Sequence, residues 1–146
     1  MTFERAIDIE AAPEMVWAAL TDVEGWPNWT ASMTSVQRLD AGELALGSQA
    51  RIRQPRLPEL VWTVTGLDYQ RSFTWEARSA GLVTAGEHAI ALVGAGKVQL
   101  TLRVRHTGRL SGLVGLLTGR QTQRYMAMEA EGFKRCCEGT GAVATA

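Results

Sequence analysis

Glu129 is the residue of this sequence whose position most strongly suggests chemistry. It lies in segment 110–138, where side chains placed about 100° apart sort into a polar arc and a broader apolar arc, as in an amphipathic helix. Leu117 falls in the apolar arc, which is expected to be covered by the rest of the protein. Glu129 falls near the middle of the apolar arc, close in projection to Thr118, Gln121 and Thr122. Because an unpaired buried charge is costly, this carboxylate must either have a partner or face a cavity. Burial would raise the pKa of the carboxyl group, which a general acid or base at neutral pH requires.

His88 is the second candidate for chemistry. It lies in the alternating segment GEHAIAL, so if Ile90 and Leu92 face the interior, His88 does too. There it could hydrogen bond to a ligand or act as a general base together with Glu129. A histidine satisfied by a neighbouring hydroxyl or backbone group is the structural alternative.

Strand parity also bears on Arg5 and on the other histidine. If Ile7 and Ile9 face inward, Arg5 does as well and could pair with Glu129. His106 ends a strand and is expected to be exposed. Since no carboxylate stands at metal-ligand spacing from either histidine, no metal site is predicted.

Large apolar side chains occupy the remaining inward positions of the strands and of the C-terminal segment. As a set they would line an apolar slot with few polar groups, the usual make-up of a small-molecule site. Plain core packing is the alternative for each of them. With His88 and Glu129, the predicted ligand-binding residues are Trp62, Phe73, Trp75, Ile90, Leu102, Tyr125, Met126 and Phe133.

Other chemical signatures are missing from the sequence. There is no G-x-S-x-G nucleophile motif, no phosphate-binding glycine loop and no dinucleotide fingerprint. The adjacent Cys136 and Cys137 form neither a C-x-x-C pair nor a metal-ligand spacing, so both are expected to be reduced thiols. No cofactor is predicted.

The elements that would position these residues begin with a strand at 3–9, followed by two short helices, one around Pro13–Asp22 and one in VEGWPNW. Trp17, Trp26 and Trp29 of these helices are expected to cluster. Six alternating strands follow, near 34–40, 47–54, 59–68, 71–79, 83–93 and 97–107, before the long helix. One-sided strands joined by short turns favour an antiparallel sheet with one wet face. Seven such strands would curl, and only the long helix is apolar enough to cover the concave side. A cavity between sheet and helix is therefore expected.

Composition sets the boundaries. The chain has 146 residues, 46% hydrophobic and 21% charged, with fifteen basic and fifteen acidic side chains. We expect one domain at 1–140 and a flexible tail at 141–146. No basic patch suggests nucleic-acid binding, and no apolar run reaches the roughly 18 residues of a membrane span. No signal peptide is recognisable, so a cytoplasmic location is expected.

The pattern IDIEAAPEMVWAALTDVEGWPNW, with LVWTVTGLDYQRSFTWEA, GEHAIAL and MEAEGFKR, resembles the START-like, helix-grip superfamily and within it the polyketide cyclase/dehydrase-type (SRPBCC) proteins. The resemblance spans nearly the whole chain. It implies an α+β helix-grip fold, with a seven-stranded curved antiparallel sheet wrapped on a long C-terminal helix and a ligand pocket between them. This architecture serves lipid carriers, hormone receptors, cyclases and proteins with no known ligand.

Three functions remain open on this basis. The leading hypothesis is that the protein binds a small hydrophobic molecule such as a lipid, an aromatic or a polyketide-like compound. The second is a cyclase or dehydratase-like enzyme that uses His88 or Glu129 as acid or base. The third is a protein-interaction module, which could form a homodimer.

Overall fold

The computed structural model describes residues 1–145, with side chains through Gly139. The flexible tail expected at 141–146 falls outside the fully described residues and stays a prediction. None of the described helices combines the length and the apolarity needed to cross a bilayer.

The chain begins with strand β1 (Thr2–Ile9), followed by helix α1 (Pro13–Thr21) and a 3₁₀ helix at Val23–Asn28. Pro13 opens α1 because its fixed φ suits the first helical turn and its missing N–H would have no partner there. In the 3₁₀ helix Trp26 is buried, and its indole nitrogen donates to the carbonyl oxygen of Ala19 at 3.2 Å. This hydrogen bond ties the two short helices together.

Six strands then complete one antiparallel sheet: β2 (Ser35–Arg38), β3 (Gln49–Arg53), β4 (Leu60–Asp68), β5 (Ser72–Ser79), β6 (Leu82–Gly94) and β7 (Lys97–Thr107). All six lie within two residues of their predicted ends. The strand order is β1-β7-β6-β5-β4-β3-β2, so the first strand pairs with the last and the others follow as a meander. A register shift between Val64 and Gly66 marks a β-bulge, which increases local bend and twist. The seven-stranded helix-grip fold predicted from the sequence is confirmed.

Helix α2 (Ser111–Thr145) lies across the sheet and contributes Met126, Ala130, Phe133 and Cys137 to the core. At Gly132 it packs against Trp29, the residue that follows the 3₁₀ helix. A Cβ atom there would lie 2.4 Å from the backbone oxygen of Trp29, nearer than any real contact. Gly132 therefore permits the helix to pack directly on the Trp29 backbone.

Two expectations about side-chain burial are wrong. Leu117 was placed on the covered side of α2, yet it is 73% exposed. The helix instead turns Gly115 and Gly119 toward Met1 and Phe3 of the N-terminal strand, so the side carrying Leu117 faces away from the protein.

Arg5 is the second correction. Arg5 pairs with Leu102 and so shares its face of the sheet, but it lies on the edge strand β1, is exposed and does not line the cavity between sheet and α2. Arg5 is therefore not a partner of Glu129.

Candidate functional site

A cavity of about 340 Å³ lies between the concave face of the sheet and α2. Aromatic and aliphatic side chains from the strands and the 3₁₀ helix form its floor, whereas both the strands and α2 supply polar groups. The apolar lining includes Trp26, Trp62, Trp75, Leu102, Val104 and Met126. The polar lining includes Thr84, His88, His106, Thr118, Gln121, Thr122, Tyr125 and Glu129. The hollow expected from a curved sheet under one helix is present.

Glu129 extends from α2 into this cavity and is held by the loop after the 3₁₀ helix. Ser32 Oγ donates to Glu129 Oε1 at 3.3 Å, and Thr30 Oγ1 lies 2.8 Å from Ser32 Oγ. Burial disfavours the charged carboxylate and raises the pKa of Glu129 to about 7, and the hydrogen bond from Ser32 opposes this only in part. Glu129 thus exchanges a proton near neutral pH inside an apolar enclosure.

His88 is buried in the cavity wall among aromatic rings. Its imidazole stacks on Phe73 at a centroid distance of 4.4 Å and an angle of 12°, and Trp26 lies 5.2 Å away. Desolvation lowers the pKa of His88 to about 4, and contact with the Phe73 backbone offsets this only partly. Among the described residues no group hydrogen bonds to its Nδ1. His88 is therefore a neutral imidazole with an unused hydrogen-bonding nitrogen.

His106 is a correction, since it was expected to be exposed. It is buried and lines the cavity, because Met1 extends the pairing of β1 alongside it. The Met1 ammonium donates to the His106 carbonyl oxygen at 3.0 Å, and the His106 amide donates to the Met1 carbonyl oxygen at 2.9 Å. The ring Nδ1 lies 3.0 Å from Thr84 Oγ1, while Nε2 has no partner among the described residues. Burial, with the nearby terminal charge, lowers the pKa of this imidazole.

The rim of the cavity is formed by the β3–β4 loop, the β5–β6 turn and the first turns of α2. Tyr125 fastens one side of this rim, because its hydroxyl donates to the Pro55 carbonyl oxygen at 2.6 Å. Gln121 Nε2 in turn donates to the Tyr125 hydroxyl at 3.2 Å. Gln54 Nε2 donates to the Ser32 carbonyl oxygen at 3.2 Å, which joins the same loop to the segment that holds Glu129.

Seven of the ten predicted ligand-binding residues line the cavity: Trp62, Trp75, His88, Leu102, Tyr125, Met126 and Glu129. Phe73 and Phe133 do not, because Trp26 contacts both rings, at 6.3 and 5.5 Å, and itself forms the wall in front of them. Ile90 lies instead in a separate groove beside Pro13 and Arg71. Phe73, Phe133 and Ile90 therefore pack in the hydrophobic core and do not line the cavity.

Trp26 and His106 are the main lining residues that sequence reasoning missed. The pattern W-P-N-W signals an aromatic anchor but not which way a 3₁₀ helix turns it against the sheet. For His106, strand parity with Leu102 and Val104 was the available signal, and the strand end masked it. The described residues contain no group of three or more His, Cys, Asp or Glu side chains arranged to hold a metal ion.

Comparison with known proteins extends the resemblance seen in the sequence. The family described as polyketide cyclase/dehydrase and lipid transport matches residues 1–138. No curated protein gives a significant match. Among solved structures, an aromatase/cyclase from a Streptomyces species is 18% identical with a TM-score of 0.76, covering 94% of this chain and 93% of its own.

Two further structures show the same fold. A START superfamily protein from Mycobacterium smegmatis is 15% identical with a TM-score of 0.73, and the match covers 92% of this chain and 97% of that one. A hypothetical protein from Helicobacter pylori is 8% identical with a TM-score of 0.81, covering 94% and 88%. At such identities the shared property is the fold, not the ligand.

Proposed function

The chain belongs to the polyketide cyclase/dehydrase and lipid transport family, and from this premise we propose that it binds a small, uncharged hydrophobic molecule in the cavity between sheet and helix α2. The observation that carries the proposal is a cavity of about 340 Å³ with a mainly apolar lining. Small-molecule sites typically measure roughly 300–1,000 Å³ and combine apolar walls with a few polar groups.

The volume narrows the size of the ligand. A cavity of about 150 Å³ holds one benzene ring. A cavity of about 340 Å³ therefore suits a compound of two or three rings, or a short aliphatic molecule of similar bulk. Trp62 and Trp75, whose ring centroids lie 5.9 Å apart, offer aromatic faces to such a compound.

The electrostatics favour a neutral ligand with one or two hydrogen-bonding groups. Arg103 is the lining cation, and its guanidinium is engaged by Glu4 and Glu87. Among the described lining residues no other Lys or Arg could pair with an anionic ligand. The unpartnered nitrogens of His88 and His106 and the carboxyl of Glu129 would instead meet a hydroxyl or carbonyl.

A specific observation also favours a second function, a cyclase- or dehydratase-like enzyme. Glu129, with a pKa of about 7, and His88, with a pKa of about 4, line one cavity, so Glu129 could give or take a proton at neutral pH while the neutral His88 hydrogen bonds to the substrate. Paired groups whose environments separate their pKa values are typical of acid–base sites. Glu129→Gln should lower the rate about 10²-fold or more if Glu129 transfers a proton, whereas a binding protein should keep its affinity within about tenfold.

Occlusion of the cavity from the helix side tests the binding proposal. Thr122 lines the cavity, and neighbouring Gln123 is exposed, so Thr122→Trp fills the space whereas Gln123→Trp adds the same side chain outside it. Isothermal titration calorimetry with naphthol, a neutral two-ring alcohol, should show binding to the wild type and to Gln123→Trp and at least about tenfold weaker binding to Thr122→Trp. Equal affinity of all three proteins would refute binding in this cavity.

A further inference from the structure

We propose that the outer face of the first turns of α2 docks on an anionic membrane surface. This leucine face consists of Leu113, Leu116 and Leu117, and it continues one and two turns later into Arg120 and Arg124. The inference goes beyond ligand binding and does not depend on it.

The leucine face is exposed in the folded protein. The exposed fractions are 56% for Leu113, 77% for Leu116 and 73% for Leu117. At helical spacing the three side chains form one contiguous apolar patch, since residues three and four apart are neighbours on a helix. Contiguous apolar patches on a protein surface mark interaction sites, whereas single exposed leucines need no explanation.

The packing of α2 fixes the direction of this face. Gly115 and Gly119 turn toward Met1 and Phe3, while Val114 and Thr118 face the cavity. The leucines occupy the third side of the helix, which no described element covers. The packing of α2 therefore leaves the leucine face exposed.

The positive charge around the leucine face favours an anionic partner. Between Glu87 and Glu129 the sequence contains no Asp or Glu, although it contains six Lys or Arg residues. Arg109, Arg120 and Arg124 are exposed, and none of them forms an ion pair with another described residue. Leucines flanked by unpaired arginines fit a bilayer of anionic lipid, where the leucines enter the acyl boundary and the arginines meet phosphates.

A second copy of this chain fits the same face less well. A two-fold dimer through the leucine face would bring Arg109, Arg120 and Arg124 of both copies into one interface, and like charges in an interface are unfavourable.

Docking would also orient the cavity. Leu110, immediately before α2, lies against Gly81 in the β5–β6 turn, and Ser79 and Leu82 on either side of that turn line the cavity, so the helix end that carries the leucine face adjoins the cavity rim. A membrane under this face would lie beside the cavity mouth.

The test is sedimentation of the full chain with vesicles of phosphatidylcholine alone or of equimolar phosphatidylcholine and phosphatidylglycerol. Leu116→Gln/Leu117→Gln removes apolar area from the helix surface. The control is Leu92→Gln, because Leu92 is 67% exposed but lies near the β6–β7 hairpin. Arg120→Gln/Arg124→Gln removes charge, with the exposed pair Arg53→Gln/Arg71→Gln, in β3 and in the β4–β5 turn and away from α2, as a charge-matched control.

The wild type should partition to the anionic vesicles, and raised salt should weaken the binding. The leucine variant should lower the partition coefficient about tenfold or more, and the arginine variant about fivefold for each charge removed, while both controls stay near wild type. Absence of binding, equal binding to neutral vesicles, or retention by both variants would overturn the proposal. So would a concentration-dependent dimer in light scattering that the leucine variant abolishes, because the occupant would then be a second copy.

Discussion

Replacing Glu129 with glutamine should change how stability depends on pH, because the carboxyl group is buried while its neutral amide analogue carries no charge at any pH. The folded structure raises the pKa of Glu129 from 4.5 to about 7. The folded state therefore holds this proton more tightly than the unfolded chain. The associated stability is fully present below pH 4.5 and is lost as the pH rises toward 7.

The size of the effect follows from the two pKa values. At about 1.4 kcal/mol for each pH unit between 4.5 and 7, ionisation of Glu129 costs up to about 3 kcal/mol of unfolding free energy above neutral pH. Glu129→Gln should therefore be more stable than the wild type by up to about 3 kcal/mol at alkaline pH. Below pH 4.5 the two proteins should converge, since the glutamine can still accept the hydrogen bond from Ser32.

Urea denaturation at a series of pH values, followed by circular dichroism, measures this difference. The matched control is Glu131→Gln, two residues further along the same helix and exposed, which should follow the wild-type curve in shape. Parallel stability curves for the wild type and Glu129→Gln from acid to alkaline pH would refute the placement of this carboxyl in an apolar cavity.

Three further perturbations follow from the structure. The wild type should lose up to about 3 kcal/mol of unfolding free energy as the pH falls from 6.5 toward 4, because the folded state keeps the His88 imidazole neutral. His88→Leu should not show this loss in the same urea series. Equal losses of stability at acid pH in both proteins would contradict the burial of His88. Gly132→Ala should destabilise the fold by about 1–3 kcal/mol, because the added methyl group meets the Trp29 backbone. Gly112→Ala has open space around it and should stabilise the fold by about 0.5–1 kcal/mol. Thermal unfolding measures both changes, and equal effects of the two variants would contradict the close packing at Gly132. Tyr125→Phe should speed release of bound naphthol about fivefold in stopped-flow fluorescence, because the rim loses the hydrogen bond to Pro55, and an unchanged rate would show that this bond does not restrain the rim.

The fold was readable from the sequence because its signals are local and repeated. Alternation in segments such as VQLTLRVR predicts a one-sided strand, and the helical projection of residues 110–138 predicts a helix with a broad apolar side. Seven strands and one long helix leave few ways to cover a curved sheet. The family resemblance at the N-terminus points to the same architecture.

The site was only partly readable. Glu129 stood out because a charge in an apolar arc needs a local explanation, and the structure places it in the cavity. Trp26 and His106 were missed because their burial depends on long-range packing: the 3₁₀ helix turns Trp26 onto Phe73 and Phe133, and Met1 covers the end of β7 at His106. The prediction for Leu117 was wrong because periodicity shows that a helix has an apolar side, but not which part of that side is covered by the rest of the protein.

Native mass spectrometry of the protein purified from its own cells tests the presence of a ligand most directly. The wild type should retain a neutral compound of two or three rings, or an aliphatic molecule of similar bulk, at one copy per chain. Thr122→Trp, in which the added ring fills the cavity, should lose that mass while Gln123→Trp keeps it. An empty wild-type protein from its own cells, together with no binding of naphthol by calorimetry, would contradict a ligand-binding role for the cavity.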